Sequence, residues 1–370
     1  MFSFAIATLG LCLATRVGDP LDVFVAGEGG YPAYRIPSLL VSTRGTLLAF
    51  AEGRSTLADH ASNDLVLRRS LDGGASFGPV ATIQDAGEDA LNNPCAVEVH
   101  DSAGKDRVLL LYQRYPADRG EYQVEPGLEG GAICRTFSIE SSDEGATWST
   151  PREITAYVKD ELATSLACGP GVGLQKRRAP HMGRVVIPFN RGPGPHWKVF
   201  AAFSDDFCAT WQRGKFADDS YSQGAANETQ MVELGDGSLL LNARSMGGKK
   251  RRKLARSTDG GATWSPLLDA SELVEPQVMG SLLRTELRSG ESSVARVFYS
   301  GPCSETAREN GHLWVSADEG TTWRQPISIA AGSFGYSCLA VLPSGDLGVL
   351  YEADEYRRIR LARVAIEDSK

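Results

Sequence analysis

Tyr34-Arg35-Ile36-Pro37 places a guanidinium in an apolar run, between an aromatic ring and Ile-Pro. Arginines usually lie solvated at a protein surface, and one held in an apolar strand does not fit that reading. It could grip a carboxylate through charge-assisted, partly bidentate hydrogen bonds. Near the other end of the chain the apolar run Leu347 to Tyr351 stops on Glu352, which is either the partner of a buried cation or a solvated strand end. Between the two, Ala51-Glu52-Gly53-Arg54 opens a polar loop, Ser55 to Asp64, that carries Asp59 and Asp64. Metal chemistry has no matching signature. The five histidines, His60, His100, His181, His196 and His312, show no ligand spacing, and no two cysteines form a C-x-x-C pair. The expectation is a site of arginines and carboxylates, with no metal and no cofactor.

The elements that would position such groups announce themselves as repeats. Ser141 to Trp148, Ser257 to Trp264 and Ser316 to Trp323 share the pattern S-x-D-x-G-x-T-W. Ser204 to Trp211 is a variant with Cys208 at the glycine position, and Ser70 to Phe77 is a weaker copy. In each, Asp and Ser can bind local backbone amides in a tight turn, Gly supplies a positive φ, and the aromatic residue enters the next strand as a buried pin. Extended runs precede the copies, and further short strands such as Gly45 to Ala51, Arg107 to Gln113 and Gly345 to Tyr351 lie between them. The copies recur at intervals of about 50 to 70 residues, room for roughly four strands per unit. Radial repetition of such units makes a propeller; a β-sandwich is the alternative, but it would not need the same turn so regularly.

The triplet Arg35-Ile36-Pro37 together with these octapeptides, the family's Asp boxes, resembles the sialidases, glycoside hydrolases that remove terminal sialic acid. The resemblance covers nearly all of the chain after residue 19. It implies an all-β, six-bladed β-propeller over residues 19–370 and a retaining exo-sialidase activity. Sialic acid carries a carboxylate on its anomeric carbon, and the family's three carboxylate-binding arginines correspond to Arg35, Arg244 in Leu241-Asn242-Ala243-Arg244, and Arg308 in the segment Ser304 to Asn310, with Arg296 and Arg284 as substitutes for the third. Glu352 corresponds to the glutamate that orients the first arginine. The nucleophile implied is Tyr336 in Ser333-Phe334-Gly335-Tyr336-Ser337, with Glu228 in Asn227-Glu228-Thr229-Gln230 as its proton acceptor. A carboxylate nucleophile would meet the substrate's own carboxylate, whereas a phenol can attack while nearly neutral if a base takes its proton. Asp59 is the implied general acid and base, and its pKa must rise in a closed site; Asp64 reads better as structural. Arg54 resembles an arginine near the sugar's C4 substituent, and Asn93 in Asn93-Pro94-Cys95 stands where some members have aspartate. Asn227-Glu228-Thr229 also matches a glycosylation acceptor, a reading that burial in a cleft would defeat.

Bulk properties bound these readings without deciding among them. Hydrophobic residues at 42% and charged residues at 23% describe an ordinary folded chain. A net charge of -8 argues against a nucleic-acid partner but not against an anionic sugar, because a local arginine cluster can dominate the field in a cleft. The partners the resemblance implies are sialylated glycoconjugates and oligosaccharides. The apolar stretch within residues 1–18 is too short to span a membrane and reads as a secretory signal without a basic n-region. Export is expected, with a cytoplasmic protein as the alternative. Transfer to another acceptor, hydrolysis of a related 2-keto acid sugar, and a non-catalytic sialoglycan-binding propeller remain the competing functions. Oligomeric state and linkage preference stay open.

Overall fold

The computed structural model describes residues 13–193, 197–289 and 292–368. Residues 1–12 of the apolar stretch read as a signal lie outside them, as does His196; Leu13–Val17 forms a strand paired along Arg358–Asp368. Apart from the four-residue helix Thr155–Val158, the described residues are strands, turns and loops. Among them no helix is long and apolar enough to cross a membrane.

The architecture is an all-β propeller built from antiparallel meanders. Ala225–Glu233, Leu239–Met246, Arg251–Ser257 and Leu268–Val274 make one four-stranded sheet, and Ser281–Ser289, Ser292–Pro302, Glu309–Ser316 and Arg324–Ser333 make the next. Ser337–Val341, Leu347–Ala353 and Arg358–Asp368 are completed by the N-terminal strands Leu13–Val17 and Leu21–Val25. The last sheet thus joins both ends of the described chain by main-chain hydrogen bonds. A further sheet is centred on Val185–Gly192 and Lys198–Ser204. The remaining nine-stranded sheet runs from Ala33–Val41 to Arg152–Glu153, and its two halves touch through a parallel pairing at Asn63 and Ala90.

Apolar side chains alternate to both faces of these strands, so the core is shared out between neighbouring sheets rather than gathered at one centre. Val186 and Val199 pack on Leu239 and Leu241; Leu240 packs on Leu282 and Tyr299; Phe298 and Leu313 pack on Val349 and Tyr351; Leu350 and Cys338 pack on Leu39 and Ala49.

All five octapeptides close in the same way, the weak copy included. In the Ser257 copy the serine hydroxyl donates to Asp259 at 2.8 Å and accepts the Gly261 amide at 2.8 Å, while Asp259 accepts the Thr263 amide at 2.9 Å and its hydroxyl at 2.5 Å. Ser70, Asp72, Gly74 and Ser76 make the same four bonds. Cys208 takes the glycine position of its copy at φ 70, held by its amide bond to Ser204 Oγ at 2.8 Å. Leu239 pairs with Ser257 and Ala243 with Lys253, so the turns lie at the strand ends away from Arg244. The repeats shape one end of the propeller and leave the other free for chemistry.

Candidate active site

Three of the singled-out residues sit where a strand breaks register. Pairing skips between Arg35 and Ser38, between Asn92 and Cys95, and between Ala226 and Thr229. Such bulges bend a strand and re-aim its side chains, and they recur beside active sites. Ile36 has φ 61 and Asn93 φ 57. Asparagine tolerates that region, but a β-branched isoleucine there is an outlier costing about 1–3 kcal/mol. It is held by its own amide, which donates to Glu352 Oε1 at 2.9 Å.

The bulge at 226–229 presents Glu228 to Tyr336. The phenol donates to Glu228 Oε1 at 2.6 Å, and Arg244 Nη1 donates to Glu228 Oε2 at 2.6 Å and to the phenol oxygen at 2.9 Å. Burial, reinforced by the Glu228 charge, pushes the Tyr336 pKa up, while Arg244 and Arg308 pull it down without reversing the shift. The resting phenol is therefore neutral and already hydrogen-bonded to the group that can take its proton. Arg244 Nε is buried and has no hydrogen-bond partner among the described residues.

Two more guanidinium groups close on the same ring. Arg35 and Arg308 each lie 5.5 Å from the Tyr336 ring centroid. Arg35 is fixed by Glu352, donating from Nε at 2.6 Å and from Nη2 at 3.2 Å, and Glu352 is 1% exposed rather than a solvated strand end. Of the candidates for the third arginine, the structure brings Arg308 here. Arg284 is engaged with Glu319 at 2.7 Å, and Glu319 belongs to the Ser316 turn at the far end. Asn227 is buried, which leaves no room for a glycan on its side chain.

Asp59 projects over the cleft with its side chain 73% exposed. Arg54 Nη1 donates to it at 2.9 Å and Arg35 stands 4.0 Å away. Partial burial would raise its pKa, but the Arg54 charge and hydrogen bond outweigh that and hold it below the usual carboxylate range. The elevation expected for a general acid is thus not present in the open cleft. Asp64 accepts the Tyr31 hydroxyl at 2.7 Å instead. Asn93 enters through its main chain, its amide donating to Glu52 Oε1 at 2.7 Å.

Sequence reasoning missed several residues of this cluster. Glu52, fully buried, binds Arg54 and the Asn93 amide together; its signal was a charged pair at the end of an apolar strand. Tyr356 lies 4.1 Å from the Arg35 guanidinium, and its hydroxyl accepts from Arg308 at 3.2 Å. It ends a run of three left-handed residues, Asp354, Glu355 and Tyr356, that no local pattern foretells. Glu121 is driven up to about 7 by burial, then by the Glu228 and Asp59 charges, with Arg244 opposing. Among the described residues no group of His, Cys, Asp and Glu is placed to hold a metal ion. The arrangement can seat a carboxylate between arginines, deprotonate a phenol and deliver a proton from a carboxyl.

Comparison with known proteins points the same way. Residues 44–349 match the BNR repeat-like domain. The chain is 31% identical over 350 residues to a sialidase of Micromonospora viridifaciens, covering 90% of this chain and 53% of that protein. It is 30% identical over 365 residues to sialidase-2 of Cricetulus griseus, covering 90% and 92% respectively. Among solved structures, the Hadza microbial sialidase Hz136 superposes with TM-score 0.83 at 26% identity over 94% of this chain and 68% of that one. The chain spans about half the length of the Micromonospora relative.

Proposed function

We propose that this chain, which belongs to the sialidase family, is an exo-sialidase that removes terminal sialic acid from glycoproteins, glycolipids and oligosaccharides with net retention. The observation that carries the reading is the 2.6 Å bond from the Tyr336 phenol to Glu228, set among three arginines. The substrate carboxylate takes the donors of Arg35, Arg244 and Arg308. Tyr336 attacks the anomeric carbon as Glu228 accepts its proton, and Asp59 protonates the departing glycosidic oxygen. Water, deprotonated by Asp59, then attacks the anomeric carbon from the opposite side, and Glu228 returns its proton to the departing Tyr336 oxygen. Two inversions give retention. Seating the substrate anion near Arg35 and covering Asp59 from solvent both raise the acid's pKa from its low resting state, which lets it hold a proton when needed.

Six blades are part of the same proposal. Dividing the nine-stranded sheet at its parallel contact gives six strand groups, and this is supported by apolar clusters that join each group to the next in turn.

The test is release of the fluorophore from a 4-methylumbelliferyl sialoside at mildly acidic pH. Tyr336→Phe should lose on the order of 10³-fold or more in turnover, as when one member of a catalytic unit is removed. Wild-type protein that binds sialosides and turns none over would instead be a glycan-binding propeller. Product analysis with an added sugar acceptor separates hydrolysis from transfer.

A further inference from the structure

We infer that His60 is a positioning residue for Asp59, docking the acid's loop into a slot on the neighbouring loop formed by Tyr115, Gly120 and Glu121; the inference rests on the sialidase reading. The loop is tied firmly on its near side. Arg54 Nη1 donates to the Leu57 and Ala58 carbonyls at 3.2 and 3.3 Å, and the side-chain amides of Asn63 and Asn92 both donate to the Asp59 carbonyl at 2.8 Å. The loop is tied again at Ser62, whose carbonyl accepts the Ser55 amide at 3.2 Å and whose hydroxyl donates to the Gly87 carbonyl at 2.8 Å. Between Asp59 and Ser62 the imidazole of His60 crosses to the next loop, where its ring packs on Tyr115 with centroids 4.3 Å apart. Its Nε2 accepts the Glu121 amide at 3.4 Å.

The slot exists because residue 120 is glycine. A Cβ there would stand 2.7 Å from His60 Cδ2, and Gly120 needs no left-handed backbone that would explain the glycine otherwise. Burial keeps the ring's pKa below the ordinary histidine value against the pull of Asp59, consistent with a neutral ring whose Nε2 accepts a hydrogen bond. His60 is engaged through its ring packing on Tyr115 and the hydrogen bond it accepts from the Glu121 amide. The effect of His60 passes through its neighbour: the Asp59 carboxylate is largely exposed and is held at Oδ1 by Arg54, so its aim also depends on the main chain on both sides of it. A displacement of about 1 Å at a reacting group can cost about 10²-fold.

A misplaced acid has a kinetic signature that general loosening of the fold lacks. Protonation helps most when the leaving group is basic and little when it leaves unaided. The experiment compares kcat/KM for a sialyl-oligosaccharide, whose leaving group is a sugar alcohol, with that for 4-nitrophenyl sialoside. His60→Ala should lose about 10-fold or more on the first and no more than about 3-fold on the second. Gly120→Ala should reproduce this pattern by filling the slot while leaving the imidazole in place. In an Asp59→Ala background, His60→Ala should add less than about 2-fold on either substrate, since residues acting through one another are not additive. Equal losses on both substrates, no loss on either, or an undiminished effect without Asp59 would each overturn the inference. Wild-type protein inert on both substrates would overturn the sialidase reading instead.

Discussion

Replacing Glu352 by glutamine changes one oxygen to an amide nitrogen, yet the structure makes it a severe substitution. The carboxylate accepts four hydrogen bonds: Arg35 Nε at 2.6 Å, Arg35 Nη2 at 3.2 Å, the Ile36 amide at 2.9 Å and the Tyr336 amide at 3.0 Å. Glutamine keeps one accepting oxygen and turns an NH₂ group toward donors that remain. Gly335 makes room for this carboxylate, since a Cβ at 335 would fall 2.4 Å from Oε2. Removing one partner of a buried pair costs about 3–5 kcal/mol, a large share of the roughly 5–15 kcal/mol that holds a domain folded. Urea unfolding of Glu352→Gln should show a lower midpoint with little change in slope. Turnover should collapse with it, because the same carboxylate seats both Arg35 and the Tyr336 backbone. A companion variant, Arg35→Met with Glu352→Leu, sharpens the test. Ordinary buried ion pairs can be replaced by apolar residues at no loss. Here the Ile36 and Tyr336 amides are left without partners, at about 1–3 kcal/mol each. The double variant should therefore remain at least about 2 kcal/mol below wild type. Glu352→Gln within about 1 kcal/mol of wild type and still active would refute the reasoning, as would a fully stable double variant.

Glu121, with its pKa raised to about 7, is neutral at acidic pH and gains a charge as pH rises through that value. The new charge stands near Glu228 and Asp59 and repels an anionic substrate, so kcat/KM should fall on the alkaline side. Glu121→Gln should flatten that limb and spare the acidic one; superimposable profiles would count against it. Asp259→Ala removes three hydrogen bonds inside one turn and should cost about 1–3 kcal/mol in stability by calorimetry. Its kcat should stay at the wild-type level, because this turn lies at the end of the sheet away from Arg244.

The sequence by itself determined the turns and therefore the kind of scaffold. Each octapeptide is closed by bonds between residues two and four positions apart, such as Ser316 to Asp318 and Gly320 to Ser316. Chemistry of that range is written in the order of the residues, and even Cys208 kept the turn because its amide makes the same bond to Ser204. Arg35 and Glu352 were also visible, as charges out of place in apolar runs. Resemblance named Tyr336, Glu228 and Asp59. Their arrangement was another matter: Tyr336 meets Glu228 across 108 residues, and Arg35 meets Glu352 across 317. The position of Arg308 rather than Arg284 beside the Tyr336 ring, the burial of Glu52, the Tyr356 ring over Arg35 and the packing of His60 on Tyr115 were all decided in the folded molecule. The contacts of Arg308, Tyr356 and His60 join segments distant in the chain at one end of the propeller. Which loops meet there is set by the pairing of sheets around the axis and the closure of the C-terminal sheet by Leu21–Val25, and no local pattern encodes that distance.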